Sequence, residues 1–293
     1  MSSVKDVAGA AREKNRVEAG KLYLVATPIG NLADLSERAV KVLSEVDFIA
    51  AEDTRNSMRL LTHLGISKPM VSYFEHNKRE RGEQIAARLE AGESCALITD
   101  AGTPAISDPG EDMVALCASR GIPVTSIPGP VASITALTLS GLPTGRFTFE
   151  GFLSTNKAER REHLASLAAE KRTMLFHEAP HKLTATLSDL AATFGESRRI
   201  ALCRELTKTH EEILRMTLGE AVAYHEENAP RGEYVLVVEG CKDAPVAVSF
   251  WTDWDIPTHV NHYIAGGMKK MDAIKQTAKD RGVPKNDVYK EMV

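Results

Sequence analysis

Five times between Lys21 and Pro130 a short apolar run gives way to a loop, and a segment with helical spacing separates each run from the next. The runs are "KLYLVA", "DFIAA", "MVSYF", "SCALIT" and "PVTSI". The first intervening segment, "DLSERAVKVLSEV", places Leu35, Ala39, Val42, Leu43 and Val46 on one helical face. Gly65 and Gly92 stop the next two helices. Runs apolar on both faces, joined by helices through short connections, predict a parallel-rich sheet covered on both sides.

The texture changes at "GLPTGRFTFEGFLS", where Gly141, Pro143 and Gly145 suit a linker and Phe147, Phe149 and Phe152 cluster. Helix and strand patterns then mix up to Gly240. The expected class is α/β, with two α/β domains, a cleft between them and a small helical extension. The expected boundaries are a disordered lead-in over 1–20, a first domain over 21–141, a second over 146–240, a linker over 241–260 and a tail over 261–293. In the tail, Ala278, Gly282 and Val288 have helix-turn-helix offsets, although Arg281 occupies a place usually apolar. Such a hairpin either touches nucleic acid or packs on a partner.

A chain of 293 residues exceeds what one core usually serves. No apolar run approaches the ~20 residues that cross a bilayer, and the N-terminus lacks a signal-peptide core. No membrane partner and a cytoplasmic location are expected. Cys95, Cys117, Cys203 and Cys241 have no metal-ligand spacing. Pro180 breaks the helix that would align His177 with His181, so no metal is expected. The net charge of −4 argues against a histone-like binder, but from Asn261 onward seven basic and four acidic residues give +3.

Ligands of parallel α/β sheets collect at the carboxyl ends of the strands. The loops there read "ATPIGN", "AAEDTRN", "TDAGTP" and "IPGP". Glycine admits close backbone approach and proline fixes a turn without adding a donor. No phosphate-binding glycine motif is present, so these loops suit a polar cofactor held by main chain. Asp100, at the mouth of its strand, either shapes that site or caps a loop. Glu52, Asp53, His76 and Glu178 are further candidate acids and bases from loop position alone.

Together "LYLVATPIGNLADLSERAVKVLSEVDFIAAEDTR", "DAGTPAISDPG", "IPGPVASITALTLSGLPT", "GFL", "HEAPHKL" and "RELTKTHEE" closely resemble the ribosomal RNA small subunit methyltransferase I family, of the tetrapyrrole methylase-like fold. The resemblance covers about Gly20 to Gly240. It implies two α/β domains with S-adenosylmethionine between them. It also implies methylation of a cytidine ribose 2′-hydroxyl in the decoding region of 16S ribosomal RNA, within the small ribosomal subunit, by an enzyme expected to be a homodimer. Thr27, Pro28, Ile29, Gly30, Asp100, Ala101, Gly102, Thr103, Pro104, Pro128 and Gly129 match first-domain cofactor positions. Phe176 and the Arg204–Lys208 segment, with Glu205, match second-domain ones. "HEAPHK" departs from the family's pattern at His177 and Lys182. Arg55 would steer a phosphate. Lys157, Arg160 and Arg161, near Phe152, form either an RNA-facing rim or a solvated helix face. The rival readings are a tetrapyrrole methyltransferase of the same fold and a non-catalytic ribosome-binding protein.

Overall fold

A computed structural model describes residues 16–242, 251 and 254–292. The chain divides after Gly240 into two compact units. The lead-in expected over 1–20 lies outside the described residues as far as residue 15. Its last residues are fixed: the Glu18 N–H donates to the Tyr23 hydroxyl at 2.8 Å, and the Gly20 N–H to the Gly92 carbonyl at 3.2 Å.

The first half of the larger unit runs β1 (Leu22–Val25), α1 (Glu37–Glu45), β2 (Phe48–Ala51), α2 (Thr54–His63), β3 (Met70–Ser72), α3 (Lys78–Glu90), β4 (Cys95–Ile98), α4 (Gly110–Ser119) and β5 (Val124–Ile127). Polar side chains start the early helices: Ser36 accepts from the Ala39 N–H and Asp53 from the Arg55 N–H. The sheet order is β3-β2-β4-β1-β5, all parallel. Strand alternation sends Leu22, Leu24, Phe48, Ala50, Cys95 and Leu97 to the face covered by α3 and α4. Tyr23, Val25, Ile49, Ala51, Ala96 and Ile98 meet α1 and α2 on the other. The neighbours β1 and β4 therefore release their following helices to opposite faces. Their carboxyl ends flank a topological switch point, where such sheets open a crevice.

Next comes α5 (Ala132–Leu139), then β6 (Phe147–Phe152), α6 (Lys157–Ser166), β7 (Thr173–Glu178), α7 (Pro180–Phe194), β8 (Arg199–Arg204), β9 (Glu212–Thr217), α8 (Leu218–Glu227) and β10 (Tyr234–Val238). The second sheet is β6-β7-β10-β8-β9, with β6 parallel to β7 and the other pairs antiparallel. One face, with Met174, Phe176, Leu202 and Leu236, is covered by α6, α7 and α8. The opposite face, with Leu175, Ala201, Cys203, Val235 and Val237, receives Ala136 and Leu137 of α5. Helix α5 thus follows the last strand of the first sheet yet builds the core of the second. Arg215 of β9 fixes it by donating to the Leu139 carbonyl at 2.6 Å.

In the smaller unit are α9 (Ile256–Ala265), α10 (Lys270–Arg281) and α11 (Lys285–Lys290). Of the linker expected over 241–260, residues 243–250 and 252–253 lie outside the described residues. Its far end needs correction, because α9 begins at Ile256. Asp255 caps that helix by accepting from the Thr258 N–H, and Pro257 sits in its first turn. Ala278 and Val288 are buried, and Gly282 ends α10 at φ 63°, as the hairpin offsets require. Arg281 escapes the apolar rule by donating to the His259 ring at 3.1 Å and the Trp254 carbonyl at 2.5 Å.

Candidate active site

Three carboxyl-end loops of the first sheet are knitted together. The Thr27 N–H donates to the Gly102 carbonyl at 2.9 Å, and the Gly102 N–H returns a bond to the Thr27 carbonyl at 3.1 Å. The buried Thr27 hydroxyl donates to the Thr99 carbonyl at 3.2 Å. The Thr103 hydroxyl donates to the Pro130 carbonyl at 3.0 Å. Gly102 holds φ 83°, a conformation that favours glycine. At Gly129 the reason for glycine is packing, since a Cβ there would lie 2.7 Å from the Ala26 Cβ. Beyond Pro104, Ala105 and Ser107 also take positive φ, at 68° and 65°. Asp108 holds that loop by accepting from the Ala105, Ile106 and Gly110 N–H groups.

Beside these loops a cavity of about 330 Å³ is lined by Thr27, Pro28, Gly30, Leu32, Arg59, Leu60, His63 and Asp100. Asp100 is exposed and accepts no hydrogen bond from any described residue. It is therefore not a cap, and its carboxylate is available to a ligand. Arg59 and His63 are cavity residues that sequence reasoning missed. Their one-turn spacing on α2 was visible, but nothing local showed that this face overhangs Asp100.

The loop after β8 rests on the first-domain loop at Gly30. A Cβ on Gly30 would lie 2.3 Å from Lys208 Cγ and 3.1 Å from the Thr207 hydroxyl. Glu205 and Thr207 hold φ 50° and 66°. Glu205 accepts from the Glu233 N–H and from Lys208 Nζ, both at 2.9 Å. The Glu233 N–H bond, with Lys208 adding, holds its carboxyl below the usual range. The Thr207 hydroxyl is buried without a hydrogen-bond partner. A cradle of bare backbone, a free carboxylate and an orphaned buried hydroxyl fits a small ligand with several donors and acceptors.

Other expected residues stand elsewhere. Phe176 is fully buried under α7, so only its backbone can reach the cleft. Glu178, 4 % exposed, is corrected as a candidate base. It shares the helix-covered face of β7 with Phe176, accepts from the Thr186 hydroxyl, and also takes the Ala179 N–H at 2.9 Å. Arg160 is corrected as an RNA contact, because it turns inward to Asp189 at 2.6 Å and Thr186 at 2.8 Å. Lys157 and Arg161 are exposed on α6. Asp53 caps α2 and holds the Arg55 guanidinium, whose hydrogen bond keeps this carboxyl below its usual range. Arg204 Nε lies 3.2 Å from Glu212 across β8 and β9. His76 is exposed in the turn after β3. His177 shares the α5 face of β7 with Leu175 and lies edge-on to Phe149 and Phe152 at 5.1 and 5.3 Å.

Residues 21–222 match the family model described as Tetrapyrrole (Corrin/Porphyrin) Methylases. The ribosomal RNA small subunit methyltransferase I of Halalkalibacterium halodurans is 48% identical over 94% of this chain and 96% of its own length. That of Escherichia coli O157:H7 is 44% identical over 92% and 94%. The chain belongs to the ribosomal RNA small subunit methyltransferase I family. Among solved structures, a diphthine synthase matches with TM-score 0.58 at 15% identity, over 75% of this chain and 90% of its own. A Thermus thermophilus uroporphyrin-III C-methyltransferase complexed with S-adenyl homocysteine matches with TM-score 0.52 at 18% identity, over 74% and 96%. These likenesses place the two-sheet architecture within the tetrapyrrole methylase fold. The family's match spans both halves of the crevice and ends within α8.

Proposed function

We propose that this protein methylates 16S ribosomal RNA of the small ribosomal subunit, at the ribose 2′-hydroxyl of cytidine 1402, using S-adenosylmethionine. The observation that carries the reading is the free Asp100 carboxylate beside bare, interlocked loops, in a chain of this family. When bound, S-adenosylmethionine supplies an electrophilic methyl group. The loops around Thr27, Gly102 and Gly129 hold its polar groups by main chain, and the Thr207 hydroxyl finds its partner there.

Asp100 accepts a hydrogen bond from the attacking hydroxyl and takes up its proton as the oxygen is methylated. A base of this kind contributes roughly 10²–10⁴-fold, and the larger share of the acceleration comes from alignment of the two reactants. Arg59 on the cavity wall and the exposed Arg55, Lys157 and Arg161 bind backbone phosphates of the RNA. The site works in the cytoplasm, in a homodimer.

The test is methyl incorporation from labelled S-adenosylmethionine into small subunits that lack the modification. Label at one cytidine, with its 3′ linkage made resistant to alkali, is the expected result. Label appearing in a porphyrinogen and not in RNA would overturn the reading in favour of a tetrapyrrole substrate.

A further inference from the structure

Glu52 follows the last residue of β2, and its side chain reaches across to the neighbouring strand. Oε2 accepts from the Thr99 hydroxyl at 2.7 Å, and Thr99 directly precedes Asp100. The carboxylate is thus oriented by one oxygen, while Oε1 has no donor among the described residues. Glu52 lines a second cavity of about 360 Å³ together with Asp53, Thr54, Arg55, Ser72 and Phe74. Asp53 is committed differently, since both its oxygens hold Arg55.

Phe74 is 37 % exposed, and the turn that carries it is fixed. The Phe74 N–H donates to Asn77 Oδ1 at 2.8 Å, and the Asn77 amide donates to the Ser72 carbonyl at 3.2 Å. Arg55 stands at the rim with its side chain 89% exposed. An exposed ring, a fixed acceptor and a cation at the rim match the stacking face, the pairing edge and the phosphate of one unstacked nucleotide. A carboxylate accepts from the amino group of cytosine, whereas uracil offers a carbonyl at the same place.

The geometry points to this cavity as the pocket that reads the base of the target nucleotide: Phe74 stacks on it, and Glu52 Oε1 accepts from its exocyclic amine. The Glu52–Thr99 bond sets the pocket next to Asp100, so that a base held here leaves its ribose at the transfer site. Glu52 is then a specificity residue and not the base. The inference rests on the ribosomal RNA methyltransferase reading and adds to it how the nucleotide is chosen.

The experiment compares kcat/KM on small subunits carrying cytidine or uridine at the target position, with cofactor affinity measured calorimetrically as a control for folding. The wild-type enzyme is expected to prefer cytidine by about ten- to a hundredfold, the worth of one good base contact. Glu52→Gln, whose amide can donate to uracil as well as accept from cytosine, should narrow the preference to about threefold. Phe74→Ala should raise KM for both subunits about tenfold or more, and Phe74→Trp should restore it. An unchanged cytidine preference in Glu52→Gln, or an unchanged KM in Phe74→Ala, overturns the pocket. Loss of rate on both subunits in Glu52→Gln, with the preference kept, overturns it too and makes Glu52 a catalytic group. Absence of transfer to either subunit by the wild-type enzyme would instead remove the reading on which the pocket rests.

Discussion

Asp100 differs from Asp53 and Glu178 in what its oxygens already hold. Asp53 is spent on a helix start and an arginine, and Glu178 on Ala179 and Thr186, whereas Asp100 faces a cavity unpaired. Asp100→Asn is nearly isosteric and removes both charge and basicity. Single-turnover methylation at saturating cofactor should fall by roughly 10²-fold or more, with RNA binding near wild type. A rate within about twofold would mean that the hydroxyl loses its proton to water after alignment alone. Glu178 has a contrasting test. Thr186→Val removes its hydroxyl donor inside the protein, which should lower unfolding stability by about 1–3 kcal/mol and leave the single-turnover rate unchanged. A drop in rate without a change in the denaturation midpoint would return Glu178 to the reaction.

Among elements, the loops show what a substitution would disturb. Gly129→Val puts a branched side chain where Ala26 already sits 2.7 Å from a Cβ. It should therefore cost cofactor affinity and stability together, by prying the β1 and β5 loops apart. Loss of cofactor affinity at wild-type stability would show that Gly129 serves ligand approach alone. The strand and helix order was legible because strands of the first sheet are buried on both faces and so read as unbroken apolar runs such as "LYLV" and "CALI". The Gly/Pro/acid loops could be placed at their ends for the same reason. Helix α5 was legible as a helix, but not as the floor of the second sheet. That role lies in pairings such as Arg215 with the Leu139 carbonyl, 76 residues apart, which leave no local pattern. Arg160 shows the same limit. Its basic neighbours suggested RNA, and only the placement of α6 against α7 turns it towards Asp189. The start of α9 was legible in principle, since "DIPT" carries both a cap and a first-turn proline.

For the molecule as a whole, two histidines contribute to the response to mild acid, above the range in which the paired carboxylates take up protons. Burial pushes His177 below its usual range, and burial with the nearby Arg281 charge does the same to His259 in the smaller unit. A lowered folded-state value means that the unfolded chain binds the proton more readily. The stabilisation is complete above the unfolded value of about 6.5 and is lost as pH falls below it. Unfolding stability of the larger unit should decline from about pH 7 towards 5.5, and His177→Phe should flatten that decline. An equally steep decline in the variant would assign it to other groups.

The smaller unit carries the other whole-molecule prediction. Lys269, Lys270, Lys275, Lys279, Lys285 and Lys290 are all exposed on it, while Arg281 is turned inward to Trp254 and His259. From Asn261 onward the unit carries seven basic and four acidic residues, against a negative remainder of the chain. Exposed lysines near a phosphate backbone displace condensed counterions, so their contribution to binding falls as salt rises. Because α9 starts at Ile256, a cut at Asn261 would split a helix, and removal should instead follow Gly240, where the compact unit ends. The shortened enzyme should bind S-adenosylmethionine as before, since every residue placed at the cofactor lies before the cut. Its affinity for small subunits should fall, and the slope of log affinity against log salt should become shallower by about 0.7–0.9 for each phosphate that the tail had neutralised. Unaltered affinity and slope, with normal cofactor binding, would exclude RNA capture by the tail and direct attention to its packing against another protein surface. A lower affinity with an unchanged slope would indicate that the tail acts through apolar or shape complementarity, and its lysines would then be only a solvated face.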